Sequence, residues 1–343
     1  MELKFNPNDL SQPNGNYFAL PYGVDESKLV ILSAPFDATT SYHPGSAAAP
    51  DAILDASVQI DLYDIEFKNN YQKGIATLPF NDDILADSIE VRKYAEKVIA
   101  HLEIGGSLQE KSIAKYLAKV NESSEKVNSF VYNSASEELS RGRYVALVGG
   151  DHSTPLGLMK AVGKRFGEFG VLHIDAHADL REAFEGFTYS HASIMYNVLK
   201  EVKEVAQIVQ VGVRDFCEAE LEIINNNPRV STFFDAQLAE RKFEGETWSR
   251  ICDSIVEKLP QKVYISFDID GLDVTFCPGT GTPVPGGLSF NEAIYLINKV
   301  VRSGRELIGF DVNEVSPTEE NEWDANVGAR VLYKLSLALL EGK

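Results

Sequence analysis

Seven short apolar runs constrain the fold of this 343-residue chain most strongly. They lie at residues 29–32, 144–148, 171–174, 208–213, 230–234, 263–267 and 307–312. Helix-like segments separate them, for example at 91–102, 156–162, 248–259 and 292–301. Strands that alternate with helices along a chain form a mainly parallel sheet with helices on both faces. The pattern therefore predicts a single α/β domain with three layers, α/β/α.

Two regions fall outside this alternation. Residues 1–27 are expected to form an N-terminal extension. Residues 86–141 are more polar and predict two or three surface helices inserted between early strands, with a break at Gly105-Gly106. No linker, repeat or low-complexity tract divides the sequence, so one domain is expected over residues 1–343.

Charge and cysteine usage exclude some classes of protein. A formal net charge of −19 with no basic run argues against nucleic-acid binding, which depends on neutralising phosphates. This charge suits a small cationic substrate, although solubility alone also explains it. Three widely spaced cysteines disfavour a disulfide framework and favour a reducing compartment. No segment has the composition of a membrane span or a signal peptide, so a cytoplasmic location is expected.

Metal-binding side chains follow three of the apolar runs directly. In an extended chain, residues i, i+2 and i+4 project to one side, so acids and histidines at this spacing converge. The carboxyl ends of parallel strands share one edge of the sheet, which is where open α/β sheets place their ligands. The side chains in these segments that could bind a metal are Asp151, His152, Asp175, His177, Asp179, Asp268 and Asp270.

This ligand set predicts the kind of metal centre. Oxygen-rich ligation with two imidazoles and no thiolate disfavours structural zinc and favours Mn²⁺, with Ni²⁺, Fe²⁺, Co²⁺ and Zn²⁺ as alternatives. The carboxylates are too many for one ion, so two divalent cations are expected. Two cations about 3.5–4 Å apart can share a water and lower its pKa toward neutrality, which is the chemistry of a hydrolase.

Each motif also has a purely structural explanation. Asp151 or Ser153 could cap the helix-like segment at 156–162, and residues 175–179 could form a solvated acidic loop. Asp270-Gly271 is an ordinary turn dipeptide. The three motifs nevertheless fall at the ends of three separate predicted strands, and this coincidence favours the metal-site interpretation.

With these motifs the chain resembles the ureohydrolase family, which includes arginases, agmatinases and formiminoglutamases. The resemblance implies six metal ligands, none of them altered in this sequence: His152, Asp175, His177, Asp179, Asp268 and Asp270. Segments 179–195, 278–287 and 40–45 resemble the agmatinase branch. The resemblance covers most of the chain and implies an arginase-like fold and a homo-oligomer, either trimer or hexamer. The loop 271–277 departs from the family's pattern, and its Cys277 is expected to be a buried, inert thiol.

The resemblance also implies three catalytic roles. Asp179 would hold and orient the attacking hydroxide. Glu314, after the last apolar run, matches the family's guanidinium-binding acid, since a carboxylate pairs with a planar guanidinium through two charge-assisted hydrogen bonds. His191 matches the proton-transferring histidine, whose ordinary pKa suits protonation of a leaving amine. On sequence alone, Glu314 could equally be a capping or surface acid, and His191 an ordinary polar residue.

These assignments predict hydrolysis of a guanidino C–N bond to release urea. Agmatine, which yields putrescine in polyamine biosynthesis, is the expected substrate. Arg181, Glu182 and Tyr189 are candidate substrate-binding residues, in a loop that also contains Phe184 and Glu185. The two acids of this loop suit a terminal amine, whereas Arg181 suits a carboxylate unless a neighbouring acid pairs with it. Formiminoglutamate, guanidino acids, arginine and free guanidine stay open as substrates. A zinc deacetylase and an inactive assembly subunit are the alternatives from other classes.

Overall fold

The computed structural model describes residues 5–318 and 322–343, so residues 1–4 and 319–321 of the predicted domain lie outside the described residues. Eight strands form one sheet in the order β2-β1-β3-β8-β7-β4-β5-β6, and every strand pairing in the described ranges is parallel. The strands are β1 (Leu29–Ala34), β2 (Ile75–Thr77), β3 (Tyr144–Gly149), β4 (Phe169–Ile174), β5 (Val205–Val211), β6 (Val230–Phe233), β7 (Lys262–Asp268) and β8 (Glu306–Asn313).

Ten α-helices in the described ranges cover both faces of this sheet. Each face has its own apolar core, and the central strands are buried along almost their whole length, so their sequences are continuous apolar runs. The predicted α/β/α fold class is confirmed. The helices are α1 (Ala49–Ser57), α2 (Asp82–Glu103), α3 (Lys111–Ser140), α4 (Leu156–Phe166), α5 (Ile194–Glu201), α6 (Glu218–Asn226), α7 (Asp235–Phe243), α8 (Trp248–Val256), α9 (Phe290–Arg302) and α10 (Trp323–Leu339).

Helix α9 shows how the sequence specifies these elements. Ser289 and Glu292 form a capping box that satisfies the first free amides of the helix. Apolar residues then recur at helical spacing and form one buried face on the sheet, at Ala293, Leu296, Ile297 and Val300. The sequence could not indicate β2 in the same way, because this edge strand has only three residues.

Two regions differ from the sequence-based expectations. The polar segment 86–141 does contain two helices, α2 and α3, with Gly105-Gly106 between them. However, α3 carries a buried apolar stripe and packs against α4 and β1, so it belongs to the helical layer rather than to the surface. The expected N-terminal extension is also partly core: Tyr17 and Phe18 are buried, and the Phe18 ring packs edge-on against Tyr333 at 4.8 Å.

The strand register decides where the candidate site lies. Ile174 pairs with Phe267 between β4 and β7, and Asp268 pairs with Asn313 between β7 and β8. The carboxyl ends of these neighbouring strands are therefore level, and the segments that follow them meet at one edge. Separately, no helix within residues 5–318 and 322–343 combines the length and apolar character needed to cross a bilayer.

Candidate metal centre

One group of ligand atoms surrounds the side chain of His152, which follows β3. Its Nδ1 atom lies 2.9 Å from Asp175 Oδ2, 3.1 Å from Asp268 Oδ2 and 3.3 Å from Asp179 Oδ2. These residues come from the ends of three different strands and are all buried. The geometry is that of one nitrogen and three carboxylate oxygens facing a common point.

A second group surrounds His177, in the loop after β4. Its Nδ1 atom lies 3.1 Å from Asp270 Oδ2 and 3.5 Å from Asp175 Oδ1. Asp175 therefore directs one carboxylate oxygen toward each histidine. The structure brings all six predicted ligand residues together in two adjoining groups that share Asp175, and we call these residues the metal cage.

The hydrogen bonding of His152 fits a metal ligand. Its Nε2 atom lies 2.9 Å from Ser266 Oγ, and that hydroxyl donates to Asp311 Oδ1 at 2.9 Å. Since the Ser266 proton is committed to Asp311, the hydroxyl accepts from His152 Nε2–H. In the neutral ring the Nδ1 atom then carries a lone pair, which faces the three carboxylate oxygens and makes no hydrogen bond among the described residues. Without a cation, and against the effect of burial, these three carboxylates raise the pKa of His152 well above its usual range. A divalent cation is the partner that this lone pair and the surrounding carboxylates lack.

The pKa values of the aspartates in the metal cage also fit a site for cations. Burial, followed by the charges of Asp270 and Asp175, raises the pKa of Asp268 well above its usual range. Burial and the charge of Asp175 also raise the pKa of Asp179 to about 6. These two carboxylates resist ionisation because each charge is desolvated and repelled by its neighbours, whereas, despite its burial, the surrounding histidines hold the pKa of Asp175 well below its usual range. Cations between them would remove this repulsion.

His173 was missed as a functional residue by the sequence analysis, which treated it as part of a strand. It is fully buried on β4, and its Nε2 atom lies 2.7 Å from Asp175 Oδ2. Its ligand atoms lie close enough to those of His152, Asp175 and Asp179 to share an ion. The available sequence signal was its position two residues before Asp175, which puts both side chains on one side of the strand.

A cavity of about 140 Å³ opens onto the metal cage. Its lining residues are Ser41, His177, Asp179, Arg181, Phe184, His191, Ala192, Asp215, Glu220 and Thr282. His191 is buried in its wall, with Nε2 3.4 Å from Ser41 Oγ and Nδ1 3.3 Å from Ser190 Oγ. Burial and the charge of nearby His177 lower the pKa of His191 to about 3, so its imidazole is neutral at physiological pH.

Glu314 lies directly beside the metal cage after β8. Its Oε1 atom accepts a hydrogen bond of 2.8 Å from the His152 amide, whereas its buried Oε2 atom has no hydrogen-bond partner among residues 5–318 and 322–343. The backbone of Glu314 has a φ of 65°, a strained value for a residue other than glycine. Gly281 faces Oε2 so closely that a Cβ atom there would lie 2.8 Å from it. The fold thus holds this oxygen free in a space that a larger residue would fill.

The predicted substrate-loop residues have different surroundings. Arg181 lines the cavity, but its Nε atom lies 3.5 Å from Glu220 Oε2 and its guanidinium lies over the Phe184 ring. Glu182 is exposed, and Tyr189 lines a separate cavity of about 340 Å³ between α3 and α4. Neither of these two residues lines the cavity at the metal cage, because successive side chains of the loop point in different directions. Cys277 is buried, with its thiol 3.5 Å from the Gly279 carbonyl.

A parallel sheet with a buried histidine and aspartate cage at its carboxyl edge defines a metal-dependent hydrolase. Comparison with known proteins gives the family. The Arginase family model matches residues 27–338, and the chain therefore belongs to the arginase family of ureohydrolases.

Individual relatives agree with this membership. An N(1)-aminopropylagmatine ureohydrolase of Thermus thermophilus is 31% identical over 321 residues, covering 94% of this chain and 93% of that protein. The structure of an agmatine ureohydrolase of Thermoplasma volcanium is similar with a TM-score of 0.69 and 25% identity, covering 93% of this chain and 92% of that one. The proclavaminate amidino hydrolase from Streptomyces clavuligerus is similar with a TM-score of 0.71 and 25% identity, covering 97% and 99%.

Proposed function

We propose that this enzyme hydrolyses the guanidino group of agmatine, releasing urea and putrescine. The observation that carries the proposal is the buried, unpartnered Oε2 atom of Glu314 beside the metal cage. A guanidinium is planar and permanently charged, and it donates paired hydrogen bonds to a carboxylate. Bound to Glu314, it would neutralise a carboxylate whose pKa burial and the charge of Asp151 raise well above its usual range.

The cavity wall supports a substrate whose far end carries an amine rather than a carboxylate. Within the described ranges, Arg181 is the one arginine or lysine that lines the cavity, and it faces Glu220 and Phe184. A carboxylate tail would have to compete with Glu220 for this guanidinium. The exposed acid Asp215 in the same wall favours a cationic tail instead. This argues against formiminoglutamate and guanidino acids as preferred substrates.

A longer substrate of the same kind is the second candidate. The T. thermophilus relative is named for N(1)-aminopropylagmatine, which has the guanidinobutyl group of agmatine and a further amine. Asp215 lines the cavity, and its side chain is 68% exposed, so it is accessible to an additional ammonium group. Both substrates would place the guanidinium at Glu314 and differ only at the mouth of the cavity.

The chemistry divides between the cations and the protein side chains. We propose that His152, Asp175, Asp179 and Asp268 would hold one cation, and that Asp175, His177 and Asp270 would hold the other. When bound, such a pair supplies Lewis-acid stabilisation and lowers the pKa of water at the site. Mn²⁺ is our proposal for both positions because the donors are mainly carboxylate oxygens.

The side chains would then position and move protons. Glu314 fixes the guanidinium carbon, and Asp179 accepts a hydrogen bond that orients the attacking water. Water adds to that carbon, and the C–N bond to the alkyl chain breaks. Both protons of the water end on the departing nitrogen, and His191, which is neutral, can accept one of them and pass it on. The products are urea and a primary alkylammonium ion.

Three further properties belong to the same proposal. A role in polyamine biosynthesis follows from putrescine as product. A cytoplasmic location is supported by the three free cysteines, Cys217, Cys252 and Cys277, which a reducing compartment preserves. A homo-oligomeric assembly, trimer or hexamer, follows from the family resemblance.

A substrate panel tests the proposal. Protein loaded separately with Mn²⁺ and Ni²⁺ is assayed for urea or formamide with agmatine, N(1)-aminopropylagmatine, arginine, 4-guanidinobutyrate, guanidine and formiminoglutamate. We expect the highest kcat/KM with agmatine, then with its aminopropyl derivative. A higher kcat/KM with either carboxylate-ended guanidino or formimino compound would contradict the proposed orientation, and no turnover on any compound at full metal loading would contradict the enzymatic function.

A further inference from the structure

His173 can be read either as a seventh metal ligand or as a residue that acts through a ligand. The distance alone does not decide, because its Nε2 atom lies 2.7 Å from Asp175 Oδ2 and close to the ligand atoms of His152 and Asp179. The decisive information is which ring nitrogen of His173 carries its proton. A protonated nitrogen donates a hydrogen bond and has no lone pair for a metal.

The contacts of Gln210 on β5 indicate which ring nitrogen of His173 carries the proton. Its Nε2 group donates to the Ala178 carbonyl at 2.7 Å, and its Oε1 atom accepts from the Thr232 hydroxyl at 2.8 Å. A carbonyl can only accept, so these two contacts fix the orientation of the Gln210 amide. The same Nε2 group lies 3.1 Å from His173 Nδ1. Since the Gln210 nitrogen is a donor, His173 Nδ1 must be the acceptor.

The proton of His173 is therefore on Nε2, which faces Asp175. A doubly protonated ring would direct a second N–H at the Gln210 amide group, where two donors would oppose each other. Both ring nitrogens are thus committed, Nδ1 to Gln210 and Nε2 to Asp175 Oδ2. Neither has a free lone pair, in contrast to the unpartnered Nδ1 of His152.

We propose that His173 is a positioning residue, held by Gln210 in the Nε2–H tautomer, which orients the Asp175 carboxylate between the two metal positions. The proposal rests on the proposed metal centre and adds residues that hold it in place. Asp175 contacts both cage histidines, through Oδ2 to His152 and through Oδ1 to His177. A rotation of this one carboxylate would disturb both positions, which is why its orientation has to be fixed.

The chain offers a matched pair of substitutions to test this relay. Gln210→Met removes the hydrogen bonds of Gln210 at nearly constant side-chain length. Gln207→Met makes the same change on the same strand, but Gln207 donates to the Ser231 hydroxyl and has no link to Asp175. Mn²⁺ stoichiometry and dissociation constants are measured by equilibrium dialysis with metal analysis, and the EPR signal of free Mn²⁺ gives an independent count.

We expect Gln210→Met to weaken Mn²⁺ binding about 10- to 100-fold, as loss of a residue that orients a ligand does, while two ions still bind at saturation. Gln207→Met should bind as the unmodified enzyme does. Equal Mn²⁺ affinities in the two variants would overturn the proposal that Gln210 and His173 orient Asp175. If the unmodified enzyme bound no pair of ions, the proposed metal centre would itself be wrong, which is a separate and recognisable failure.

Two substitutions at His173 separate positioning from ligation. His173→Gln places an amide donor near the position of Nε2, whereas His173→Leu removes the donor. If His173 is a positioning residue, His173→Gln should restore most of the Mn²⁺ affinity that His173→Leu loses, and both should bind two ions at saturation. If both variants bind a single ion at saturating Mn²⁺, His173 is a ligand and the proposal is overturned. If a His173 variant does not fold, the comparison of Gln210→Met with Gln207→Met is sufficient to test the proposal.

Discussion

The metal cage and the substrate-facing wall of the cavity are neighbours, but they are built differently. The metal cage begins at the ends of β3, β4 and β7, and its His152 side chain is 1% exposed. The wall comes mainly from loops, where Arg181 and Asp215 have side chains that are 35% and 68% exposed. His177 lies at the boundary, with a side chain that is 21% exposed.

This difference separates two kinds of function. Ligands on strand ends are held by the sheet register and by buried partners such as Ser266 and Asp311, so their geometry is rigid. Loop residues such as Arg181 are not part of the sheet, so substitutions there can change the cavity wall without disturbing the strands. We therefore expect substitutions in the metal cage to change metal content, and substitutions in the wall to change substrate binding while metal content stays the same.

The largest effect is expected for Asp179→Ala. This change removes an oxygen from the group around His152, so one of two ions should be lost and kcat should fall by roughly 1,000-fold or more. Metal analysis and urea release measure the two effects. The exposed Asp61→Ala is the control for loss of an acid. Unchanged turnover of the metal-replete Asp179 variant would refute the assignment of this residue.

Glu314→Gln tests whether Glu314 acts on the substrate or on the metal ions. The amide oxygen can still accept from the His152 amide, but the charge that would pair with a guanidinium is lost. We expect kcat/KM for agmatine to fall about 100-fold, the worth of a charged hydrogen-bonded pair, with two ions still bound. The exposed Glu257→Gln serves as control. Loss of an ion from the Glu314 variant would place this residue in the metal cage instead.

The third prediction concerns pH and the wall residue His191. Its pKa is about 3 in the folded, metal-free protein but about 6.5 in an unfolded chain, because burial and the charge of His177 oppose protonation. As pH falls below 6.5, the unfolded chain takes up the proton first. The stability contributed by the neutral ring is therefore present above pH 6.5 and is lost progressively toward pH 3.

For metal-free protein, this effect amounts to about 2 kcal/mol less unfolding free energy at pH 5 than at pH 7. His191→Gln should lack this contribution, so the stability difference between the variant and the unmodified protein should shift by that amount between the two pH values. Urea denaturation at both pH values measures it. A stability difference that does not change with pH would contradict the low pKa of His191.

The smallest effect is expected for Arg181→Ala. Although Arg181 lines the cavity, its guanidinium faces Glu220 and lies over the Phe184 ring, so its removal should change KM for agmatine by less than about 3-fold and leave the metal content at two ions. Steady-state kinetics measure this, with the exposed Arg250→Ala as control. A loss of activity confined to substrates that end in a carboxylate would show that Arg181 binds the substrate carboxylate.

Prediction from sequence succeeded where the local pattern and the fold agree. The seven apolar runs all correspond to strands, and the i, i+2 spacing of Asp175 and His177 was sufficient to predict a shared ligand edge. The sequence did not indicate that Glu182 and Tyr189 lie outside the lining of the cavity, because their directions depend on the path of an irregular loop. It also missed His173, since a histidine inside an apolar strand gives no indication of its partner on the next strand.

The amino-acid sequence by itself determined the layer architecture, because this follows from periods of two and about four residues along the chain. The six residues of the metal cage were indicated by the family resemblance that their motifs carry. Tertiary structure decided which carboxylate contacts both histidines, which ring nitrogen of His173 carries the proton, and which acid pairs with Arg181. These properties depend on atoms from distant segments that approach within about 3 Å, a hydrogen-bond distance. Only the folded chain brings such atoms together.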